Sequence, residues 1–165
     1  MRNNLSQMIS LSKIEEKLYR PADAYELSRV TRMEHVKTTI VETPQEGIKA
    51  VATRIAQLIN RREANGQKTV LSLASGRSMR DLFVELVRLH KEEGLSFKNV
   101  VVFGSYEFYP LSDTTSGSMA QIQSQLLEHV DILPENVHTF PGDLPKEDVF
   151  AFCEEYEKAI VEAGG

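Results

Sequence analysis

Two short segments of the sequence combine residue types that can do chemistry. The first is Leu73-Ala74-Ser75-Gly76-Arg77-Ser78. It joins an apolar run to an amphipathic one, as a strand does when it hands over to a helix. The N–H groups and dipole at such a helix start favour an anion such as phosphate. Ser75 and Ser78 would donate from their hydroxyls, Gly76 would let the backbone approach closely, and Arg77 would pair with phosphate bidentately. The plain alternative is that Ser78 caps the helix, Asp81 completes the box and Gly76 makes the turn. Spacing leaves both readings open. The segment is neither a Walker loop nor G-x-G-x-x-G.

The second segment is Phe103-Gly104-Ser105-Tyr106-Glu107-Phe108-Tyr109-Pro110, just after a strand-like run. Open α/β sheets bind ligands at the carboxyl ends of their strands, which places this loop to line a site. Glu107 is its acid, expected to be exposed or paired rather than catalytic. Tyr106, Phe108 and Tyr109 read as loop packing. His35, His90, His129 and His138 are scattered, without a Ser or Cys partner at catalytic spacing, and read as structural or surface residues.

The elements that must position these loops alternate in kind. Val36–Val41 is rich in β-branched residues and reads as a strand. Thr43-Pro44-Gln45-Glu46 is a capping box with proline at the first helical position. Ile48, Val51, Ala52, Ile55, Leu58 and Ile59 then recur at helical spacing until Asn65-Gly66. Strands follow at Thr69–Ala74, Asn99–Phe103 and Val137–Phe140. Helices are expected over Ser78–Glu93, from a second capping box at Ser118–Gln121 to about Val130, and from near Lys146 to the end. The fold class is therefore α/β: a small doubly wound, mostly parallel sheet of about four strands flanked by helices. Ser12–Arg32 reads as short helices broken at Pro21. The division is an N-terminal helical extension, 1–35, and an α/β domain, 36–165.

The 165 residues carry a net charge of −5, with 41% hydrophobic and 26% charged side chains. Those values describe a globular chain long enough to bury a core. Residues 131–165 hold 2 basic and 9 acidic side chains, a solvated acidic face. No basic stripe interleaved with aromatics points to nucleic acid. No apolar run is long enough to span a bilayer, and MRNNLSQMIS has no secretory core, so a cytoplasmic location is expected. The single cysteine, Cys153, reads as a small buried helix residue. No Cys/His cluster suggests a metal, and no cofactor is expected.

With these motifs in place, the chain from about Val36 onward resembles the glucosamine-6-phosphate deaminase (isomerase) family, within the sugar-phosphate isomerase and 6-phosphogluconolactonase group. The stretches that carry the likeness are Glu85–Val101, His129-Val130-Asp131-Ile132 and Pro134-Glu135-Asn136. The first 35 residues look like the extension of a longer subtype. The resemblance implies conversion of glucosamine 6-phosphate to fructose 6-phosphate and ammonia, with a base moving a proton between C2 and C1. It also implies that A-T-G-S-S/T-P holds phosphate and that F-N-x-D-E-Y supplies an Asp as base.

Here those patterns are altered. The first reads Ala74-Ser75-Gly76-Arg77-Ser78-Met79, with Arg77 for a small residue and Met79 for proline. Arg77 either adds charge for a phosphate or fills its space, and obstruction is the expected outcome. The second reads Phe103-Gly104-Ser105-Tyr106-Glu107-Phe108, with Tyr106 at the position of the Asp. A phenol, with a reference pKa of about 10, is a poor base for a carbon-bound proton near neutral pH. The family's G-x-G-x-D-G-H segment, which carries further acids and the ring-opening His, does not occur within these 165 residues. The expectation is a truncated or degenerate member, inactive alone and self-associating, with a sugar phosphate as its candidate ligand. The alternative is a non-catalytic sugar-phosphate-binding or oligomerisation module.

Overall fold

A computed structural model describes residues 23–25, 39–113 and 115–164. The chain divides into two units, Met1–Ile40 and Val41–Gly165. Only a few residues of the first are described, so most of the helices expected over Ser12–Arg32 lie outside the described residues. Residues 36–38 lie outside them too. Residues 39–41 form no strand and are exposed, which corrects the expected strand there. Ile40 stays 86% exposed, and β-branched residues without a ladder partner do not make a strand.

The second unit is built as α1 (Pro44–Ala64), β1 (Thr69–Leu73), α2 (Arg77–Glu93), β2 (Val100–Gly104), α3 (Ser118–Gln125), β3 (Val137–His138) and α4 (Val149–Glu162). Among the described residues the sheet has three parallel strands in the order β1-β2-β3, where the sequence suggests about four. Leu71 pairs with Val102, and Phe103 with His138. Residues alternate along the strands between two cores. Leu73, Val100 and Val102 pack with Ala52 and Ile59 of α1, Phe83 and Leu86 of α2 and Ile122 of α3. Val101 and Phe103 point the other way, onto Tyr156 of α4 with Phe140, Phe152 and Ile160 around it. Helices therefore cover both faces, and every residue of β2 is buried, as its unbroken apolar run requires.

Local chemistry explains the helix ends. Thr43 Oγ1 accepts from Glu46 N–H at 3.2 Å, so Thr43 caps α1 as its sequence dictates, while Glu46 Oε2 reaches one residue past the cap and accepts from Glu42 N–H at 3.2 Å. Gly94, with φ of 75°, closes α2 in a left-handed turn. The second capping box does not form. The cap residue of α3 is Gly117, Ser118 lies inside the helix, and the Ser118 hydroxyl is buried without a partner. The helix also ends early, at Gln125, and a 3-10 turn over Leu127–His129 follows.

Candidate active site

β1 and β2 run parallel, so the loops that leave them emerge side by side at their carboxyl ends. Ser105 N–H donates to Leu73 O at 2.8 Å, and the Ser72 and Ser105 hydroxyls are 2.9 Å apart. The two loops singled out in the sequence are thus brought together. Gly76 caps α2 with φ of 129°, a conformation that favours glycine, and among the described residues no side chain bonds the helix start. Ser78 sits within the first turn of α2, so the reading of Ser78 as its cap is corrected. Arg77 is the exposed first residue of the helix and makes no ion pair among the described residues.

Tyr106 reaches across from the second loop to the first. Its hydroxyl is 2.9 Å from Ser75 Oγ and donates to Ser75 O at 3.3 Å. The ring is 40% exposed and meets Phe108 edge-on, with Phe108 itself 59% exposed. These aromatics therefore line a surface rather than fill the loop as expected. Tyr109 is anchored from its hydroxyl to Leu144 O at 2.9 Å.

Glu107 turns the other way. Its carboxylate accepts from Ser118 N–H at 2.7 Å, Met119 N–H at 2.9 Å and Phe108 N–H at 2.9 Å. It thus supplies the cap that Ser118 does not, on the positive end of α3. Burial pushes its pKa up, but the bonds from Met119, Ser118 and Phe108 outweigh that and hold it below the usual glutamate value. A Cβ on Gly117 would lie 2.6 Å from Glu107 Oε2, so glycine is needed for this approach.

Sequence reasoning missed Tyr156. Its hydroxyl donates to Gly104 O at 2.9 Å and lies 3.3 Å from His138 O, tying α4 to the carboxyl ends of β2 and β3. Burial pushes its phenol pKa up to about 12. The signal was the aromatic spacing Phe152–Tyr156 on one face of α4. His138 stacks on Phe103 with centroids 4.3 Å apart, and His90 Nδ1 lies 2.6 Å from Leu95 O, both structural placements. Beside the strand ends runs a groove of about 700 Å³, lined by Leu58, Ser72, Ser105, Phe140 and Tyr156 among others. Cys153 also lines it and is exposed, which corrects the expectation of burial. Among the described residues there is no cluster of three or more acids, histidines or cysteines able to hold a metal. None of their helices is long and apolar enough to cross a membrane.

Comparison with known proteins places this geometry. A glucosamine-6-phosphate deaminase-like protein of Bacteroides thetaiotaomicron is 42% identical over the whole chain, which covers 25% of that protein. A glucosamine-6-phosphate deaminase of Porphyromonas gingivalis is 38% identical over 58% of the chain, covering 36% of its own length. Among solved structures, a monomeric glucosamine-6-phosphate deaminase superposes with a TM-score of 0.70 at 26% identity, over 78% of this chain and 52% of that one. The 6-phosphogluconolactonase of Thermotoga maritima, at 23% identity and a TM-score of 0.57 over 70% of this chain and 50% of that one, shares the fold. The chain thus spans a quarter to about half the length of these relatives. The pattern described as glucosamine-6-phosphate isomerases/6-phosphogluconolactonase matches residues 42–165, and the chain belongs to that family.

Proposed function

We propose that this chain holds the phosphate of a sugar phosphate on the loop Ser75–Ser78 and does not by itself release ammonia from glucosamine 6-phosphate. The observation that carries this reading is the state of the two side chains beside the loop. At the position resembling the family's base stands the Tyr106 phenol, bonded to Ser75. The neighbouring carboxylate, Glu107, is bound by three backbone N–H groups at the start of α3. A carboxylate so engaged is stabilised as an acceptor and is not aimed at a ligand between β1 and β2.

Three features of the first loop support an anion there. The start of α2 carries no side-chain cap, Ser75 and Ser78 bring hydroxyls, and Arg77 is exposed at the first helical position. That exposure favours Arg77 as a source of positive charge over Arg77 as an obstruction. Ammonia release measured with the 165-residue chain tests the catalytic half of the proposal. We expect no turnover, and none in Tyr106→Asp. Turnover within tenfold of a full-length deaminase would refute it.

A further inference from the structure

We propose that Tyr106 is a clasp on the Ser75–Ser78 loop, which withholds the Ser75 hydroxyl from an anion until the phenol swings away. This deepens the reading of that loop as a phosphate site and rests on it. A phenol has one proton and so does a serine hydroxyl. Tyr106 Oη is 2.9 Å from Ser75 Oγ and 3.3 Å from Ser75 O. The carbonyl can only accept. Each contact has a proton of its own when the phenol donates to the carbonyl and the serine hydroxyl donates to the phenol. The Ser75 proton is then committed to Tyr106, and what Ser75 Oγ offers a neighbouring phosphate is lone pairs.

Ser75 directly precedes Gly76, the cap of α2, so its hydroxyl stands beside the uncapped start of the helix. An anion settling there meets a repelling oxygen instead of a donor. Binding therefore requires Ser75 Oγ–H to turn from the phenol to the anion. The surroundings allow this. Tyr106 is 40% exposed and touches Phe108 only edge-on, so its ring can leave the loop without opening a core. The phenol can then hydrogen-bond to water. Opening costs about one exposed neutral hydrogen bond, which lowers the affinity for phosphate by about two- to tenfold relative to a loop without the clasp. Tyr106 thus sets the affinity of the loop through Ser75.

The test is titration of inorganic phosphate by calorimetry into the wild-type chain, Tyr106→Phe, Ser75→Ala and the double variant. Thermal unfolding run alongside should show all four folded, since both side chains lie at the surface of the loop. Tyr106→Phe keeps the ring and removes the acceptor, so it should bind phosphate about two- to tenfold more tightly. In the Ser75→Ala background the same substitution should change nothing, because the withheld donor is gone. A role for Tyr106 in loop structure alone would act equally in both backgrounds. Unchanged or weaker binding by Tyr106→Phe overturns the clasp while leaving the loop as a phosphate site. Equal tightening with and without Ser75 overturns the clasp as well. No binding by any of the four overturns both the clasp and the reading of the loop.

Discussion

Glu107→Ala should destabilise the fold more than a surface glutamate change does, and its pH dependence should reveal why. The carboxylate bonds two N–H groups of the first turn of α3, from Ser118 and Met119, and one on its own loop, from Phe108. Alanine leaves the helix start without a cap, since the Ser118 side chain does not serve it. Loss of an N-cap costs about 0.5–2 kcal/mol, and bonds to a charged acceptor add to that, giving about 2–3 kcal/mol for Glu107→Ala. With a urea m-value of about 2 kcal/mol/M, the unfolding midpoint should fall by about 1 M. Glu107→Gln keeps one carbonyl acceptor and should cost about 1 kcal/mol. The folded pKa of Glu107 is held below its unfolded value, so its contribution is fully present above about pH 4.3. It is lost as pH falls through the folded pKa. Urea unfolding of wild type and Glu107→Gln from pH 7 to pH 3 should show the gap closing at the acid end. A gap that persists at pH 3, or Glu107→Ala within about 0.5 kcal/mol of wild type, would refute the capping role.

Arg77→Gly should weaken inorganic phosphate binding by about three- to tenfold in calorimetry, by removing the exposed charge at the start of α2; tighter binding would mean that its bulk obstructs the loop. Asp131→Asn should cost about 1–3 kcal/mol in urea unfolding, because its carboxylate accepts from Phe97 N–H at 2.6 Å and Ser96 Oγ–H at 2.9 Å. Burial raises the Asp131 pKa and these bonds, with His90, lower it further, so this difference too should shrink as pH falls below about 4. Gly104→Ala would place a Cβ 2.6 Å from Met119 Sδ at the end of β2, and should lower stability by about 1–3 kcal/mol. Sedimentation of the chain at micromolar concentration should show a dimer or larger, since among the described residues β1 pairs on one side only and the apolar-lined groove lies beside it; a clean monomer would count against self-association.

What could be read in the sequence was what neighbouring residues decide. Thr43, Pro44 and Glu46 lie within one turn, and Gly66 and Gly94 take the positive φ their positions suggest, so α1 and the end of α2 fall where expected. The apolar run of β2 announced a strand covered on both faces. What could not be read depends on contacts between distant residues. The partners of Glu107 come 11 and 12 positions later, and they displace the local capping box at Ser118. The reach of Tyr106 to Ser75 spans 31 positions, and the bond from Tyr156 to Gly104 spans 52. Strand propensity at residues 39–41 went unrewarded, because it needs a neighbour that propensity does not supply. Cys153 was placed by the habit of its residue type, and the face of α4 it occupies opens onto the groove.

The stretches that carry the family likeness serve the scaffold. Asp131 ties the turn before β3 to Ser96 and Phe97, in the connection from α2 to β2. Asn136 accepts from Lys68 Nζ at 3.0 Å and donates to Lys98 O at 3.2 Å, joining the entrances of all three strands. His90 Nδ1, 2.6 Å from Leu95 O, fixes the end of α2. These joints lie at the amino ends of the strands, opposite the loops that could meet a ligand. Arg77 and Tyr106, two of the positions where the loops depart from the motifs they resemble, lie at the carboxyl ends, and both side chains are exposed. Exposed side chains at a loop can change with little effect on folding, whereas a lost buried bond at a joint costs stability directly. The same sheet can therefore keep its assembly while the chemistry above it changes. Variation at Arg77 and Tyr106 should register in ligand affinity with the unfolding midpoint nearly constant, and variation at Asp131 and Asn136 should do the reverse.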